Sequence, residues 1–552
     1  MVKKMLKKIT KEELISIIIF VISFLLFTTY NLADNELGYD RMWTFHMTQR
    51  IAMGEVPYKE INIIITPLFY QIGALIFNIT GCADFAIYSL YGGLIGAFLN
   101  LMCYKVIKEL TSNRLLSVFA TIILTNITSS FYETNYNVLL LSLIFMVMFL
   151  EMRKEKSNKK TKYNIIIGVF AGLCAATKHT VGGVIILTTL SLPIIKKIYL
   201  KENGCLKEII NKFIGVLMVG VPYLIWLVSA GILDDFMNFA IFGMFDFAEK
   251  NSIGSFFNLL SLFSVSAIFA ALMVLKEFKK IGQIEKEWLI VALYAAVNLT
   301  YGIPLFNFHH ILISCFVSVI IIISLIIKFI EKNPKVALMM ILVAFVLIKM
   351  MIISLIPESQ ETSTKIERWN TLNVIHYWMF WAFLAVTAIC ILFKKNKLAI
   401  VISVLIMFVI PIGLNIYMWM CNVKENREYC VPEYSCIGVL NAEMKDIVEI
   451  NKYIKQMEAE GYNVYVLDVI ASKYMIPLHR NNYKFDLMLN GNLGYNGEKT
   501  LIEEINEIEN IIILRQKPEV ETIKLQQPEA IDKFIEENYI KIGEINDLEI
   551  YN

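Results

Sequence analysis

Long apolar runs are the feature that most constrains the fold of this chain. Predominantly apolar stretches of about 17–25 residues recur between residues 13 and 420, and this is the length that crosses the hydrocarbon core of a bilayer. Hydrophobic residues make up 57% of the 552 residues, and the mean hydropathy is +0.59. These values predict a polytopic membrane protein. The net charge of only +2 gives no support for a nucleic-acid partner.

The Lys/Arg content of the loops predicts the orientation. From residue 105 onward, loops rich in Lys and Arg alternate with loops poor in both. By the positive-inside rule, the basic loops and the basic N-terminus are cytoplasmic, and the other loops are extracytoplasmic. About 13 spans follow, and their odd number places the C-terminus outside. The predicted spans are 13–31, 85–104, 115–129, 137–152, 163–177, 181–199, 211–232, 255–275, 288–303, 308–328, 335–356, 372–393 and 398–420.

The alternation holds only if the apolar stretch 61–80 does not cross the membrane. This stretch contains Pro67, Gln71, Gly73 and Asn78. We interpret it as an interfacial or re-entrant helix on the outer face, within a first outer loop that covers residues 31–84. An ordinary additional span over residues 63–80 is the alternative.

The composition changes after residue 420. Residues 421–552 are charged and contain no spanning run. The fold class is therefore an all-α polytopic membrane module over residues 1–420, followed by a small C-terminal extracytoplasmic α/β domain over residues 421–552. Helical patterns alternate there with strand patterns, at Glu443–Glu460, Asn463–Asp468, Lys499–Glu509, Asn510–Leu514, Glu529–Asn538 and Leu548–Tyr551. Any two of Cys421, Cys430 and Cys436 could form a disulfide in an extracellular setting.

Charged and polar residues cluster on the predicted outer side. They are Asp34, Glu36 and Asp40 after the first span, then Glu133, Lys178, His309 and His310. Charge close to a bilayer is costly, so such residues are candidates for a functional site. A carboxylate in a partly dry cleft can accept a proton from a hydroxyl, and a Lys at the membrane surface can hold an anionic lipid head group. Together these groups suit transfer from a lipid phosphate to a hydroxyl.

The first outer loop carries a recognisable pattern. Gly38-Tyr39-Asp40, Gly54-Glu55-Val56-Pro57-Tyr58 and Pro67-Leu68, followed by Gly81, resemble the first extracytoplasmic loop of GT-C glycosyltransferases. The nearest in style are bacterial relatives of protein O-mannosyltransferases and of the lipid A aminoarabinose transferase. The resemblance implies inverting transfer of a sugar from a polyprenyl-phosphate donor to a hydroxyl of a cell-surface glycan, lipid or protein.

The resemblance also implies roles for individual residues. Glu133 lies where the second acidic motif of the family is expected, and Thr177-Lys178 resembles the Thr-Lys that holds the carrier phosphate. The usual adjacent Asp-Glu pair is replaced by Asp34-x-Glu36, with Asp40 four residues later, so the catalytic base stays open among these three acids. Asp40 is favoured because its neighbours match best and Arg41 could tune its pKa. Tyr58, Arg41, His309 and His310 are further candidates for substrate contact.

Two questions stay open at the level of sequence. No cofactor is certain, and a divalent cation held by Asp40, Glu133 and a His is compatible with the residues, although their spacing is not diagnostic. The alternative function is a transporter or flippase of lipid-linked saccharides. Transporters usually place charges or broken helices at mid-membrane in matched halves. Here Lys349 is an exception among mostly uncharged mid-span positions, and no repeat relates the halves.

The predicted topology can be tested with cysteines introduced singly near residues 110 and 500. Because the loop at 110 is basic and residue 500 belongs to the C-terminal domain, we expect an impermeant thiol reagent to label only the second site in intact cells. Labelling of residue 110 from outside, or protection of residue 500, would contradict this topology.

Overall fold

The computed structural model describes residues 10–34, 37–129, 133–201, 204–245, 286–302, 308–332, 398, 401–402, 404–425, 429, 431–437, 441–480, 483–485, 488, 492–495, 497–516 and 529–552. The first half contains helices α1 (Lys11–Ala33), α2 (Tyr39–Ala52), α3 (Leu68–Thr80), α4 (Phe85–Thr111), α5 (Arg114–Ser129), α6 (Tyr136–Glu155), α7 (Lys160–Thr177), α8 (His179–Leu200) and α9 (Cys205–Ser229). Helices α10 (Lys286–Asn298), α11 (Phe308–Lys332) and α12 (Ile410–Glu425) follow.

Within the described residues, six helices are long and apolar enough to cross a membrane. They are Lys11–Ala33, Phe85–Thr111, Tyr136–Glu155, His179–Ile198, Cys205–Ser229 and Leu405–Lys424. These helices agree with six of the predicted spans and support a multi-pass membrane protein. The predicted spans at 255–275, 335–356 and 372–393 lie outside the described residues.

Helix α3 occupies the stretch for which the sequence predicts no crossing. Its 13 residues extend about 20 Å, whereas the hydrocarbon core is about 30 Å thick. It ends at Gly81, whose φ of +68° is favourable for glycine and closes the helix in the left-handed region. The length of α3 favours the interfacial or re-entrant interpretation over an additional span.

Helices α7 and α9 pack closely because each has a glycine that lies against the backbone of the other helix. A Cβ atom at Gly168 would lie 1.9 Å from the carbonyl oxygen of Lys212. A Cβ atom at Gly215 would lie 2.0 Å from the carbonyl oxygen of Ile165. Small residues are common where membrane helices pack closely. Lipid tails are as apolar as the side chains, so the helices associate through van der Waals packing, and small residues let their backbones come close. This contact fixes α9 against the helix that ends next to Lys178.

Charged residues at one end of the bundle pair with one another. Lys212 Nζ lies 2.5 Å from Glu151 Oε1, Lys154 Nζ lies 2.8 Å from Glu151 Oε2, and Lys196 Nζ lies 2.6 Å from Glu155 Oε1. Four of these five side chains are buried, and Glu155 is partly buried. Glu151 is about 22 Å along α6 from its first residue, so the cluster lies at the end that carries the basic loops. Mutual pairing explains how these charges are accommodated inside the bundle.

The C-terminal domain confirms the predicted alternation of helices and strands. Helices α13 (Asn441–Ala459), α14 (Gly497–Glu507) and α15 (Glu529–Asn538) accompany strands β1 (Asn463–Leu467), β2 (Ile511–Gln516), β3 (Lys541–Ile545) and β4 (Leu548–Tyr551). The strand order is β1-β2-β4-β3, with β1 and β2 parallel and the other pairs antiparallel. Cys421 and Cys436 are both free thiols, and Cys430 lies outside the described residues.

Strand β3 is the element of this sheet that the sequence pattern did not predict. It lies at the sheet edge and pairs only with β4 within the described sheet, through a turn at Asn546, whose φ is +51°. Its residues are mostly exposed and include Lys541 and Glu544. An edge strand of this kind lacks the apolar alternation of a half-buried strand, and its charges discourage pairing with other chains.

The glycine contact between α7 and α9 predicts a specific loss of stability. Gly168→Ala should lower the free energy of unfolding by about 1–3 kcal/mol, because the new methyl group overlaps the backbone of α9. The measurement is the thermal midpoint of the purified protein in detergent. Gly220→Ala, on the same α9, is the control, since a Cβ atom there meets nothing within 4 Å. Equal midpoints for the two variants would contradict the packing argument.

Candidate active site

Asp40 lies in the first turn of helix α2, which begins after Gly38. The side chain of Asp40 is exposed, whereas every residue from 41 to 50 is buried. The N-terminus of a helix carries a partial positive charge, which stabilises a nearby carboxylate. The first turn of the helix thus presents an accessible carboxylate at one end of the bundle.

Asp34 and Arg41 form an ion pair that joins the end of α1 to the start of α2. Arg41 Nη1 lies 3.1 Å from Asp34 Oδ2, and the guanidinium also donates to the backbone carbonyls of Asp34 and Asn31, at 2.9 and 2.7 Å. Its Cζ atom lies 5.2 Å from the centre of the Phe85 ring. The carboxylate of Asp34 therefore helps to fix the loop. Glu36 lies outside the described residues.

Tyr88 brings the loop containing Glu133 to helix α2. Its hydroxyl lies 2.9 Å from the carbonyl oxygen of Thr134 and 2.8 Å from Thr44 Oγ1. Thr44 is one helical turn after Asp40, and Thr134 directly follows Glu133. Both carboxylates act electrostatically on the Tyr88 phenol. The structure thus brings Asp40 and Glu133 to the same end of the bundle, as the sequence predicts.

Lys178 lies between α7 and α8 and is only 6% exposed. Its Nζ atom is 5.4 Å from the centre of the Tyr136 ring, close enough for a cation–π interaction. Burial lowers the pKa of Lys178 to about 7, and the nearby Asp40 carboxylate acts in the opposite direction. Thr66 Oγ1 donates to the carbonyl of Ala175 at 2.7 Å, which ties the first outer loop to the end of α7. The Asp40 carboxylate and the Lys178 side chain thus lie within electrostatic reach of each other.

Aromatic side chains that the sequence reasoning missed surround these charges. The rings of Tyr70 and Tyr136 lie 6.1 and 6.5 Å from that of Trp43. Both tyrosines lie close enough to Asp40 to interact with it electrostatically. The Tyr70 hydroxyl is buried and has no hydrogen-bond partner among the residues that the structure describes. Tyrosines at the outer ends of apolar helices were the available signal, since a phenol tends to keep its polar tip satisfied.

Tyr58 holds the first outer loop together. It is fully buried, with a φ of +72°, and burial raises its pKa well above the usual value. Its hydroxyl donates to the carbonyl of Ile65 at 2.9 Å and lies 3.1 Å from the hydroxyl of Tyr223. This arrangement explains the conformation of residues 58–65 without a ligand. The side chains of His309 and His310 are not among those described.

A metal site is not evident in the described part of the chain. No group of three His, Cys, Asp or Glu side chains there is arranged to hold a metal ion. The cation predicted from Asp40, Glu133 and a His stays a prediction, because both histidine side chains lie outside the described set.

The fold is shared with known membrane proteins, although no protein-family model and no curated protein matches the sequence. ArnT from Cupriavidus metallidurans, bound to undecaprenyl phosphate, aligns with a TM-score of 0.64 over 97% of both chains, at 12% identity. The same protein in its apo state aligns with a TM-score of 0.60 over 97% of both chains, at 10% identity. An oligosaccharyltransferase from Archaeoglobus fulgidus, in complex with Zn and sulfate, reaches a TM-score of only 0.45 at 10% identity, over 97% of this chain and 73% of that one.

The ArnT alignments show a shared fold, which agrees with the resemblance found in the sequence. They cover both the membrane module and the C-terminal domain, since 97% of this chain is aligned. The fold alone does not assign chemistry, because one fold can host several functions. The function therefore has to be argued from the site.

Proposed function

We propose that this protein is a glycosyltransferase that moves a sugar from a polyprenyl-phosphate donor to a hydroxyl group on the extracytoplasmic face, with inversion at the anomeric carbon. The observation that carries the proposal is an accessible Asp40 carboxylate within electrostatic reach of the buried Lys178 side chain, at one end of the membrane bundle. The ArnT structure with the same fold contains undecaprenyl phosphate, which supports a donor of this chemical class.

The two charges have complementary roles in this reaction. Asp40 accepts the proton of the acceptor hydroxyl, whose oxygen then attacks the anomeric carbon. The bond between that carbon and the phosphate oxygen breaks, and its electron pair leaves with the phosphate. Lys178 stabilises the charge on this leaving group. A single displacement from the opposite face inverts the anomeric centre.

Asp40 is the better candidate for the base than Asp34. The Asp34 carboxylate is paired with Arg41 and is only 14% exposed, so its role is to fix the loop. Asp40 is exposed at the start of its helix and interacts with Lys178. Glu133 and Tyr70 lie close enough to orient the acceptor or the sugar.

The proposal includes the side of the membrane on which the site lies. The C-terminal domain contacts the loop that carries Asp40. For example, the backbone N–H of Asn62 donates to the carbonyl of Lys484 at 3.1 Å. Both parts therefore lie on one side of the membrane. The basic loops lie at the opposite end of the bundle, and the positive-inside rule favours the cytoplasm for that end. The site and the C-terminal domain then face outward.

Loss of the proposed base should abolish transfer without unfolding the protein. Asp40→Asn keeps the size of the side chain and removes the proton acceptor, so we expect transfer to fall by about 10²–10⁴-fold. The measurement is mass spectrometry of surface glycans, lipids and proteins from a deletion strain, complemented with each variant at matched expression. The first comparison, between deletion and wild type, identifies the transferred sugar.

Asp34→Asn is the matched control. It breaks the pair with Arg41 and should reduce stability, but the rate per folded molecule should stay within a few-fold of wild type. If Asp40→Asn transfers sugar at the wild-type rate and Asp34→Asn does not, then Asp40 is not the base. An unchanged surface in the deletion strain would argue against the proposed reaction.

The pKa of Lys178 predicts pH-dependent binding of the carrier phosphate. Undecaprenyl phosphate serves as the probe, because its own phosphate is largely ionised above pH 7. If only the ammonium form binds, the Kd should rise by up to about 50-fold between pH 7 and pH 9 as Lys178 loses its proton. Lys178→Arg should retain part of the affinity with a flat pH profile, and Lys178→Ala should bind weakly throughout. Identical profiles for wild type and Lys178→Arg would remove this role.

A further inference from the structure

Helix α2 has an unusual position for a sequence with so many polar residues. Every residue from 41 to 50 is buried. One side packs on the membrane bundle, where the rings of Phe45 and Phe85 stack with their centres 4.1 Å apart. On the same side, a Cβ atom at Gly73 would lie 2.6 Å from Thr48 Cγ2, so α3 approaches very closely. The bundle alone does not account for the remaining polar side chains of α2.

The other side of α2 is bound by the C-terminal domain. His46, Gln49 and Arg50 share one face of the helix because they are spaced by three and four residues. His46 Nε2 lies 3.1 Å from the carbonyl oxygen of Arg480. Gln49 Nε2 donates to the carbonyl of Ile476 at 3.4 Å and lies 3.3 Å from Nδ1 of His479. These contacts connect residues more than 400 positions apart in the sequence.

Arg50 is the centre of this interface. It is fully buried, and its Nε atom donates to Glu55 Oε2 at 2.6 Å. Its Nη2 atom donates to the carbonyls of Glu60 and Tyr483, at 2.6 and 2.9 Å. The planar guanidinium can satisfy several acceptors in fixed directions, which an ammonium group cannot do in the same way. One side chain therefore joins α2, the first outer loop and the C-terminal domain.

We infer that the C-terminal domain positions the proposed base, and that Gln49 and Arg50 are the positioning residues. This inference rests on the proposed function, since Asp40 is the group that is positioned. Arg50 lies about 15 Å along the helix from Asp40, so it acts through the helix and not on the reacting atoms. A helix clamped on both sides transmits small shifts to its first turn. Displacement of a catalytic group by about 1 Å can cost about 10² in rate.

Two variants test whether the C-terminal domain positions α2, and a third serves as a control. Gln49→Ala removes the bonds to Ile476 and His479 and leaves Arg50 in place. Arg50→Lys keeps the positive charge but loses the forked donor geometry. Arg515→Lys changes an arginine of similar burial within the C-terminal domain, where Arg515 bonds to Glu549 at 2.6 Å and Glu536 at 3.0 Å. If Arg50→Lys does not fold, Gln49→Ala carries the test alone.

Three quantities are measured for each variant at matched expression. They are sugar transfer in the complemented deletion strain, the Kd for undecaprenyl phosphate, and hydrogen exchange of the amides of residues 40–44. In Gln49→Ala and Arg50→Lys we expect transfer to fall by about 10–100-fold, a Kd within about twofold of wild type, and faster exchange in α2. Arg515→Lys should match wild type in all three.

Several results would overturn the inference. One is wild-type transfer by both Gln49→Ala and Arg50→Lys. Another is a loss of undecaprenyl phosphate binding in these variants that equals their loss of transfer. A third is a loss of transfer in Arg515→Lys as large as theirs. Failure of the proposed function looks different. In that case the deletion leaves the cell surface unchanged, or Asp40→Asn transfers at the wild-type rate. Exchange in α2 then still reports whether the C-terminal domain holds the helix.

Discussion

Burial of the Lys178 ammonium is the constraint on which this end of the bundle depends. An isolated ammonium is costly in apolar surroundings, so it needs an aromatic face, an opposite charge or a ligand. The structure supplies the Tyr136 ring at 5.4 Å and the Asp40 carboxylate within electrostatic reach. Asp40 in turn needs a helix that begins at the right place. The helix needs partners for its own polar residues, and the C-terminal domain provides them.

Much of the fold follows from the sequence because the bilayer leaves few choices. Spans are set by length and apolarity, and basic loops sort the two sides. The same pattern placed Asp40, Glu133 and Lys178 on one side, and the structure brings them together. The strands at 463–467, 511–516 and 548–551 were visible because most of the buried residues there are β-branched or aromatic. The alignment over 97% of ArnT at only 12% identity shows that very different sequences can reach the same fold.

The features that escaped prediction are those decided by distant contacts. Helix α2 has no clear apolar face, because it is buried on all sides and its polar residues bond to backbone that comes more than 400 residues later. Strand β3 is an exposed edge and carries charges. The bonds from the Tyr58 hydroxyl to Ile65 and Tyr223 also depend on distant contacts, since Tyr223 follows 165 residues later. Local propensity contains no information about such partners.

The separation between α2 and its partners has a consequence for biosynthesis. Residues 46–50 are made early in translation, whereas residues 476–483, to which they bond, are made more than 400 residues later. Until residue 483 has been made and lies on the same side of the membrane as α2, Arg50 has no carbonyl of Tyr483 to bind. A truncated or stalled chain can therefore insert its helices without completing the site. Only chains that extend past residue 483 can hold α2 through these bonds.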